Sequence, residues 1–288
     1  MLLAATEYVR PASLEEAIAA LRSSGGARVL AGGQTLINVL KHRATSVELL
    51  VDISRLAELR FIDVRADGSA TIGAASTYSE LERSADLRAA HPVICEVAAG
   101  TVDRQVRARG TIGGNACFAD PASNYPPLLV ALDATMRIAG AEGIRELPAS
   151  EFFTGPFATA VGPGELLHSI ELAPLDGARV GYRSLLVAAD AWAIARAVAW
   201  VRASERIEAA RVVLGCVAPT PLRALATEQA LTGAQVSAEA VAAAAALASE
   251  GITAPGDTHA SASYRAEMAA VMAKRALLHA LGLDGGGA

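Results

Sequence analysis

Cysteine is scarce and unpaired along this chain of 288 residues: Cys95, Cys117 and Cys216 lie far apart, and no C-x-x-C occurs. That spacing excludes a self-contained iron–sulfur or zinc site and makes a disulfide framework unexpected. Each thiol reads as a small buried hydrophobe. His42, His91, His168, His259 and His279 form no metal-ligand spacing either, so no resident metal is expected. An uncharged apolar run long enough for a transmembrane helix is missing. The start, Met1-Leu2-Leu3, carries no basic segment of a signal peptide, and a cytoplasmic protein is expected. Basic charge is also short, with 25 Lys and Arg against 30 Asp and Glu, a net −5. The arginines are scattered, which excludes a nucleic-acid-binding face. Finally, both G-x-G-x-x-G and the P-loop G-x-x-x-x-G-K-[ST] are absent, so ordinary Rossmann and kinase-like readings fail.

What the chain has in quantity is Ala, Val and Leu. Hydrophobic residues make up 52% of it, enough for a sizeable core, and its length allows two domains. It also has two Gly-Gly segments some eighty residues apart. The first is Ala31-Gly32-Gly33-Gln34-Thr35-Leu36, entered from an apolar pair, Val29 and Leu30, and left through a helix-like stretch. The second is Thr111-Ile112-Gly113-Gly114-Asn115, flanked by Arg107 and Arg109 and followed by an Asp120-Pro121 turn. Either pair taken alone has two readings, a tight turn or a backbone surface whose N–H groups meet an anion such as a pyrophosphate.

The remaining pattern supplies the frame. Residues 7–10 read as a strand, and Ser13 with Glu16 has the capping-box form ahead of a helix that Gly25-Gly26 stops. A strand at 29–30, a short helix at 36–42 and a strand at 48–53 complete a βαβ-like unit. Asp67-Gly68 marks a hairpin between strands at 61–65 and 70–73. Thr77 or Ser79 caps one helix, Pro92 opens another, and a third covers 126–132. Strands follow at 135–139, 144–147 and 165–172. A boundary is placed at 174–178. Beyond it, long strands at 191–201 and 207–217 precede helices at 222–231, 238–249 and 262–281, an α+β order.

In combination these segments carry a resemblance. A-G-G-Q-T-L at 31–36, R-x-R-G-T-I-G-G-N at 107–115, A-D-P-A-S at 119–123 and L-L-x-A-L-D-A at 128–134 resemble the FAD-binding medium subunit of molybdenum hydroxylases. Carbon monoxide dehydrogenase and xanthine dehydrogenase belong to that family. E-F-F-T-G at 151–155, G-E-L-L-H-S-I at 164–170, P-x-R-A at 221–224 and Y-R-A-E-M at 264–268 follow in the expected order, so nearly the whole chain is covered.

The resemblance implies an α+β protein: an N-terminal FAD-binding domain at 1–175, of two α/β subdomains (about 1–57 and 58–175), and a C-terminal domain at 176–288 of antiparallel strands packed with helices. It implies FAD contacts from Ala31, Gly32, Gly33, Gln34, Thr35 and Leu36 in the first segment and from Thr111, Ile112, Gly113, Gly114 and Asn115 in the second. Asn124 matches a position where relatives usually carry Asp. Leu167 and Arg183 match positions near flavin or adenine, with Arg183 where Lys is common, and Thr101 matches a further contact. Ala108 departs from the family's V-R-N-R and removes a side-chain hydrogen bond.

Function follows as an expectation. FAD would relay electrons from iron–sulfur clusters on a partner subunit to an external acceptor. The molybdenum cofactor would sit on a large subunit and the 2Fe-2S clusters on a small one. No catalytic acid or base is expected here, and an apolar partner-facing patch is. Two alternatives stand beside it: a stand-alone flavin oxidoreductase of the same fold, and a flavin-free assembly subunit. For Tyr125, flavin stacking and packing under the helix are both open. Arg107 and Arg109 read equally as solvated or as phosphate or partner contacts, and core packing is the reading for Trp192 and Trp200.

Overall fold

A computed structural model describes residues 3–101, 103–188 and 191–284. The Met1-Leu2 start and the Ala189-Asp190 pair lie outside the described residues. In chain order the elements are β1 (Glu7–Val9), α1 (Leu14–Ser23), β2 (Ala27–Leu30), α2 (Leu36–Lys41), β3 (Leu49–Asp52), β4 (Ile62–Val64) and β5 (Ala70–Gly73). Five helices follow, α3 (Tyr78–Arg83), α4 (Ala85–Ala90), α5 (Pro92–Ala99), α6 (Arg104–Arg109) and α7 (Ile112–Phe118). Then come α8 (Tyr125–Ala131), β6 (Thr135–Gly140), β7 (Gly143–Pro148), α9 (Ala149–Phe152), β8 (Phe153–Gly155), β9 (Ala158–Thr159) and β10 (Leu166–Leu172). The chain closes with β11 (Arg179–Leu186), β12 (Ala193–Ala203), β13 (Ile207–Gly215), β14 (Leu222–Arg223), α10 (Leu225–Leu231), α11 (Ala238–Ala246) and α12 (Ala262–Leu281).

These elements fall into two compact units. One takes residues up to Phe118 together with Ala134–Phe152 and Ala158–Pro174; the other takes Ala119–Asp133, Phe153–Phe157 and the chain from Leu175 onward. The first unit begins with a parallel sheet in the order β1-β3-β2, Leu30 pairing with Asp52. Helix α1 forms where the sequence placed it. The Ser13 hydroxyl accepts from the Glu16 N–H at 3.2 Å, while the Glu16 carboxylate accepts from Ala12 N–H, one residue earlier than a strict capping box. Its Ala17 and Leu21 are buried with Ala27 and Val51 in one apolar cluster. A second, antiparallel sheet has the order β4-β5-β10-β6-β7. Gly68, at φ +86°, turns the β4–β5 hairpin. Thr77 caps α3 with a complete capping box to Glu80, and Ser84 starts α4 separately, so one anticipated helix is two.

The second unit is built on the antiparallel sheet β11-β12-β13-β14. Ala195, Ala197, Ala199 and Val201 line one face and share a core with Ala269, Met272, Ala273 and Ala276 of α12. Small residues on both elements let backbones approach closely. A Cβ on Gly181 of β11 would lie 2.0 Å from the Ala276 carbonyl oxygen. The other face of the sheet takes α8, with Pro127 3.2 Å from the Cβ position of Gly215.

Three readings need correction. Strand β11 was missed because it is an edge strand, half-exposed on both faces, and shows no apolar alternation. Helix α7 was read as a loop because it holds two glycines. The cap from Thr111 and the burial of Ile112, Gly113 and Ala116 outweigh a propensity cost of about 1 kcal/mol per glycine. Trp192 is not core but 58% exposed, whereas Trp200 is half-buried with the Arg211 guanidinium 4.2 Å from its ring centroid. Replacing Gly181 by Ala drives a methyl into the α12 backbone, and we expect a loss of about 3 kcal/mol in urea unfolding; a loss under 0.5 kcal/mol would refute this close-packing account.

Candidate functional site

The first glycine segment leaves the carboxyl end of β2 and enters α2. At the carboxyl edge of a parallel sheet, a loop opening into a helix is the usual seat for a phosphate-bearing ligand. Gly33 has φ +74°, a backbone state that side chains rarely adopt. Residues 31–37 are all half-buried. Among the described residues, no group accepts a hydrogen bond from the N–H of Gly32, Gly33, Gln34 or Thr35. Thr35 stands at the start of α2 without capping it through its side chain. Gln34 instead donates to the Gly32 carbonyl at 3.4 Å, and Asn38 donates to the Gln34 carbonyl at 2.8 Å. The result is a short run of backbone donors, with no carboxylate in it, ahead of a helix start.

The second segment is organised differently. Asp103 caps α6, Gly110 breaks it, and α7 starts at once. Here the early N–H groups are spent within the protein. Ile112 donates to the Ser76 carbonyl at 3.1 Å, Gly113 to the Ala74 carbonyl at 3.0 Å, Gly114 to the Thr111 hydroxyl at 3.0 Å and Asn115 to the Thr111 carbonyl at 3.0 Å. The paired glycines in this segment therefore serve packing. A Cβ on Gly113 would lie 2.5 Å from Ala74. What the segment leaves for a ligand is its half-buried edge at Gly114 and Asn115.

The two segments touch. A Cβ on Gly32 would lie 1.9 Å from the Arg109 carbonyl oxygen and 3.0 Å from the Gly110 Cα, and one on Gly114 would lie 3.8 Å from the Ala31 Cβ. Residues separated by some eighty positions thus form one surface. Leu167 joins them through its backbone, which is hydrogen-bonded to the Cys117 sulfur at the end of α7; burial pushes that thiol up to about 12. Thr101 is tied to α6 through Arg107. It is buried, its hydroxyl donates to the Val97 carbonyl, and its own carbonyl accepts from Arg107. Arg107 is thereby a structural residue, ion-paired to Glu82 at 3.1 Å, whereas Arg109 is exposed.

Asn124 and Arg183 belong to the second unit. Asn124 opens α8, and its side-chain oxygen accepts from Arg196 at 2.6 Å. Arg196, only 2% exposed, also donates to the Ala122 and Ser123 carbonyls and to the Ser184 hydroxyl. Arg183 donates to the Tyr182 carbonyl and pairs with Asp284 at 3.3 Å. Tyr125 is fully buried, which decides for packing. Asp120 shapes its turn by accepting from Ala122 N–H, and burial raises its carboxyl. Sequence reasoning missed Arg196, although an arginine inside the apolar run Ala193–Ala203 was a visible signal.

Among the described residues, no group of His, Cys, Asp or Glu could hold a metal ion, and no helix is long and apolar enough to cross a membrane. A donor-rich glycine surface ahead of a helix start, on an α+β frame, is the form of a nucleotide-cofactor site. Family models make the class explicit. Residues 4–174 match the FAD binding domain in molybdopterin dehydrogenase, and residues 180–280 match the CO dehydrogenase flavoprotein C-terminal domain.

The chain belongs to the FAD-binding medium-subunit family of the molybdenum hydroxylases, an oxidoreductase family. It is 38% identical to the carbon monoxide dehydrogenase medium chain of Afipia carboxidovorans, over 94% of this chain and 95% of the relative. It is 36% identical to the glyceraldehyde dehydrogenase medium chain of Sulfolobus acidocaldarius, over 93% and 96%. Among solved structures, carbon monoxide dehydrogenase from Hydrogenophaga pseudoflava superimposes with a TM-score of 0.94 at 36% identity, covering 98% of this chain and 99% of that one.

A Gly32→Ala substitution forces the two segments apart, and we expect FAD affinity to fall at least tenfold. Gly68→Ala, at a hairpin turn with open space around it, is expected to cost about 1 kcal/mol of stability and leave affinity unchanged. Titrating both variants with FAD by fluorescence quenching checks this, and equal affinities would refute the contact.

Proposed function

We propose that this chain is the flavin relay of a molybdenum hydroxylase complex. The observation that carries the reading is the run of backbone N–H groups at Gly32, Gly33, Gln34 and Thr35 that no acceptor among the described residues satisfies. A pyrophosphate supplies acceptor oxygens and negative charge to such donors, and the helix start behind them favours both. We assign the FAD pyrophosphate to residues 31–36 and further contacts to Thr111, Ile112, Gly113, Gly114, Asn115, Thr101 and Leu167. For Asn124 and Arg183 the assignment rests on the family resemblance alone.

FAD, when bound, supplies a centre that exchanges electrons one or two at a time. The protein's own task is to bind and orient it. The touching glycine segments hold its phosphates and bar bulk from that surface. No side chain of this chain is assigned as an acid or base in the substrate reaction. The FAD that these residues would hold would link iron–sulfur clusters on a small partner subunit, downstream of a molybdenum cofactor on a large one, to an external electron acceptor. The medium chains of carbon monoxide and glyceraldehyde dehydrogenases, alike over almost their full length, support this division of labour.

The test is the visible absorption spectrum of the chain purified with its co-expressed partner subunits. We expect flavin bands at one equivalent per chain, with FAD released on denaturation. A folded, assembled complex without flavin, and taking up none from excess FAD, would leave only an assembly role.

A further inference from the structure

Tyr78 lies outside the residues that the family resemblance assigns to the site, yet it is packed directly beneath the second glycine segment. It is the first residue of α3, 6% exposed, and its position is fixed from three directions. Its N–H donates to the Gly110 carbonyl at 3.0 Å, at the step between α6 and α7. Thr77, the residue before it, pairs with Thr111 in an isolated antiparallel bridge. Its ring occupies the space that a Gly110 side chain would need, with the Tyr78 Cε2 2.8 Å from that Cβ position. The Thr77–Glu80 capping box and the Arg60–Glu80 ion pair at 2.7 Å hold the start of α3 in turn.

The phenol of this buried ring is hydrogen-bonded to the side chain of Asn115. Burial raises the phenol above its ordinary value, so it keeps its proton across the physiological range. Asn115 is half-buried at the edge that the second segment presents, and its backbone N–H is already committed to Thr111. Its amide is therefore what it can offer a ligand, and an amide presents a donor on one side and an acceptor on the other. Which side faces outward is governed by the group behind it.

We infer that Tyr78 is a positioning residue for the cofactor site, setting through its hydroxyl the orientation in which Asn115 meets the dinucleotide. This rests on the reading of Asn115 as an FAD contact. Tyr78 touches no part of the ligand surface itself. It acts on Asn115 by one hydrogen bond and on Gly110 by ring packing, and only the first is removed by Tyr78→Phe.

A double-mutant cycle on the full chain in its assembled complex tests the inference, with FAD affinity and the visible circular dichroism of bound flavin as readouts. We expect Tyr78→Phe to weaken FAD about tenfold, as for one lost hydrogen bond to an orienting group, and to change the flavin dichroism. The same substitution in an Asn115→Ala background is expected to change affinity less than twofold. The melting temperature of the flavin-free protein is expected to stay within a few degrees of wild type. Wild-type affinity and dichroism in Tyr78→Phe, with Asn115→Ala weakened, overturn the inference alone. An equal loss in both backgrounds overturns it too, because Tyr78 would then act by another route. Wild-type affinity in Asn115→Ala removes the contact reading and the inference together, whereas loss of flavin in Gly32→Ala with no effect in either other variant leaves the glycine site standing.

Discussion

The site depends on one backbone approach: the Gly32 main chain against the carbonyl of Arg109. At 1.9 Å from that oxygen no Cβ can exist, so residue 32 is glycine for a reason internal to the protein. Because the contact is backbone to backbone, it does not relax by side-chain rotation. It fixes the first segment against the step from α6 to α7, and everything at the second segment inherits that placement. Gly113 against Ala74 repeats the same device one turn further on. Two of the four paired glycines thus build the surface, and Gly33, with its left-handed backbone, shapes what is presented on it.

The two segments divide the work. In the first, consecutive N–H groups have no acceptor among the described residues, an arrangement that costs free energy unless water or a ligand supplies one. In the second, a Thr cap and two carbonyls from residues 74 and 76 absorb the N–H groups, and the helix gains rigidity in place of binding capacity. A rigid second segment is what lets a single amide, that of Asn115, be held at a defined angle. In the proposed reading the first segment would supply binding energy for an anionic cofactor and the second its orientation.

In the second unit three buried charged residues, Arg196, Glu228 and Arg265, are each held by several partners. Arg196 gives its guanidinium to two carbonyls, an amide oxygen and a hydroxyl, which pins the 122–124 turn to β11 and β12. Glu228, 7% exposed, accepts from Val212 N–H and from Arg223, tying α10 to β13 and β14. Arg265 donates to the Ile194 carbonyl and pairs with Asp257, whose carboxyl that guanidinium, with help from two backbone N–H groups, holds down to about 2. Removing one member of such a set strands the others, which is costlier than the set is stabilising. These residues specify how the alanine-rich faces align, since alanine on alanine has little shape to set a register.

The sequence by itself determined the periodic features: the βαβ opening, the Asp67-Gly68 hairpin, the long β12 and β13 pair, the closing helix and both glycine segments as candidates. Local chemistry suffices there, because caps, turns and apolar periods are decided by neighbours in the chain. Only the tertiary structure decided that the glycines of 113–114 lie in a helix, that β11 is a strand, that Trp192 faces outward and that Tyr78 stands behind Asn115. Three of these turn on a partner outside the local stretch: the Ala74 carbonyl for α7, β12 for an edge strand with no alternation of its own, Asn115 for a tyrosine otherwise indistinguishable from core. The paired glycines in the sequence left a tight turn and an anion-binding backbone both open. Which of their N–H groups find an acceptor among the described residues was decided by long-range hydrogen bonding, since a donor's fate depends on what folds against it.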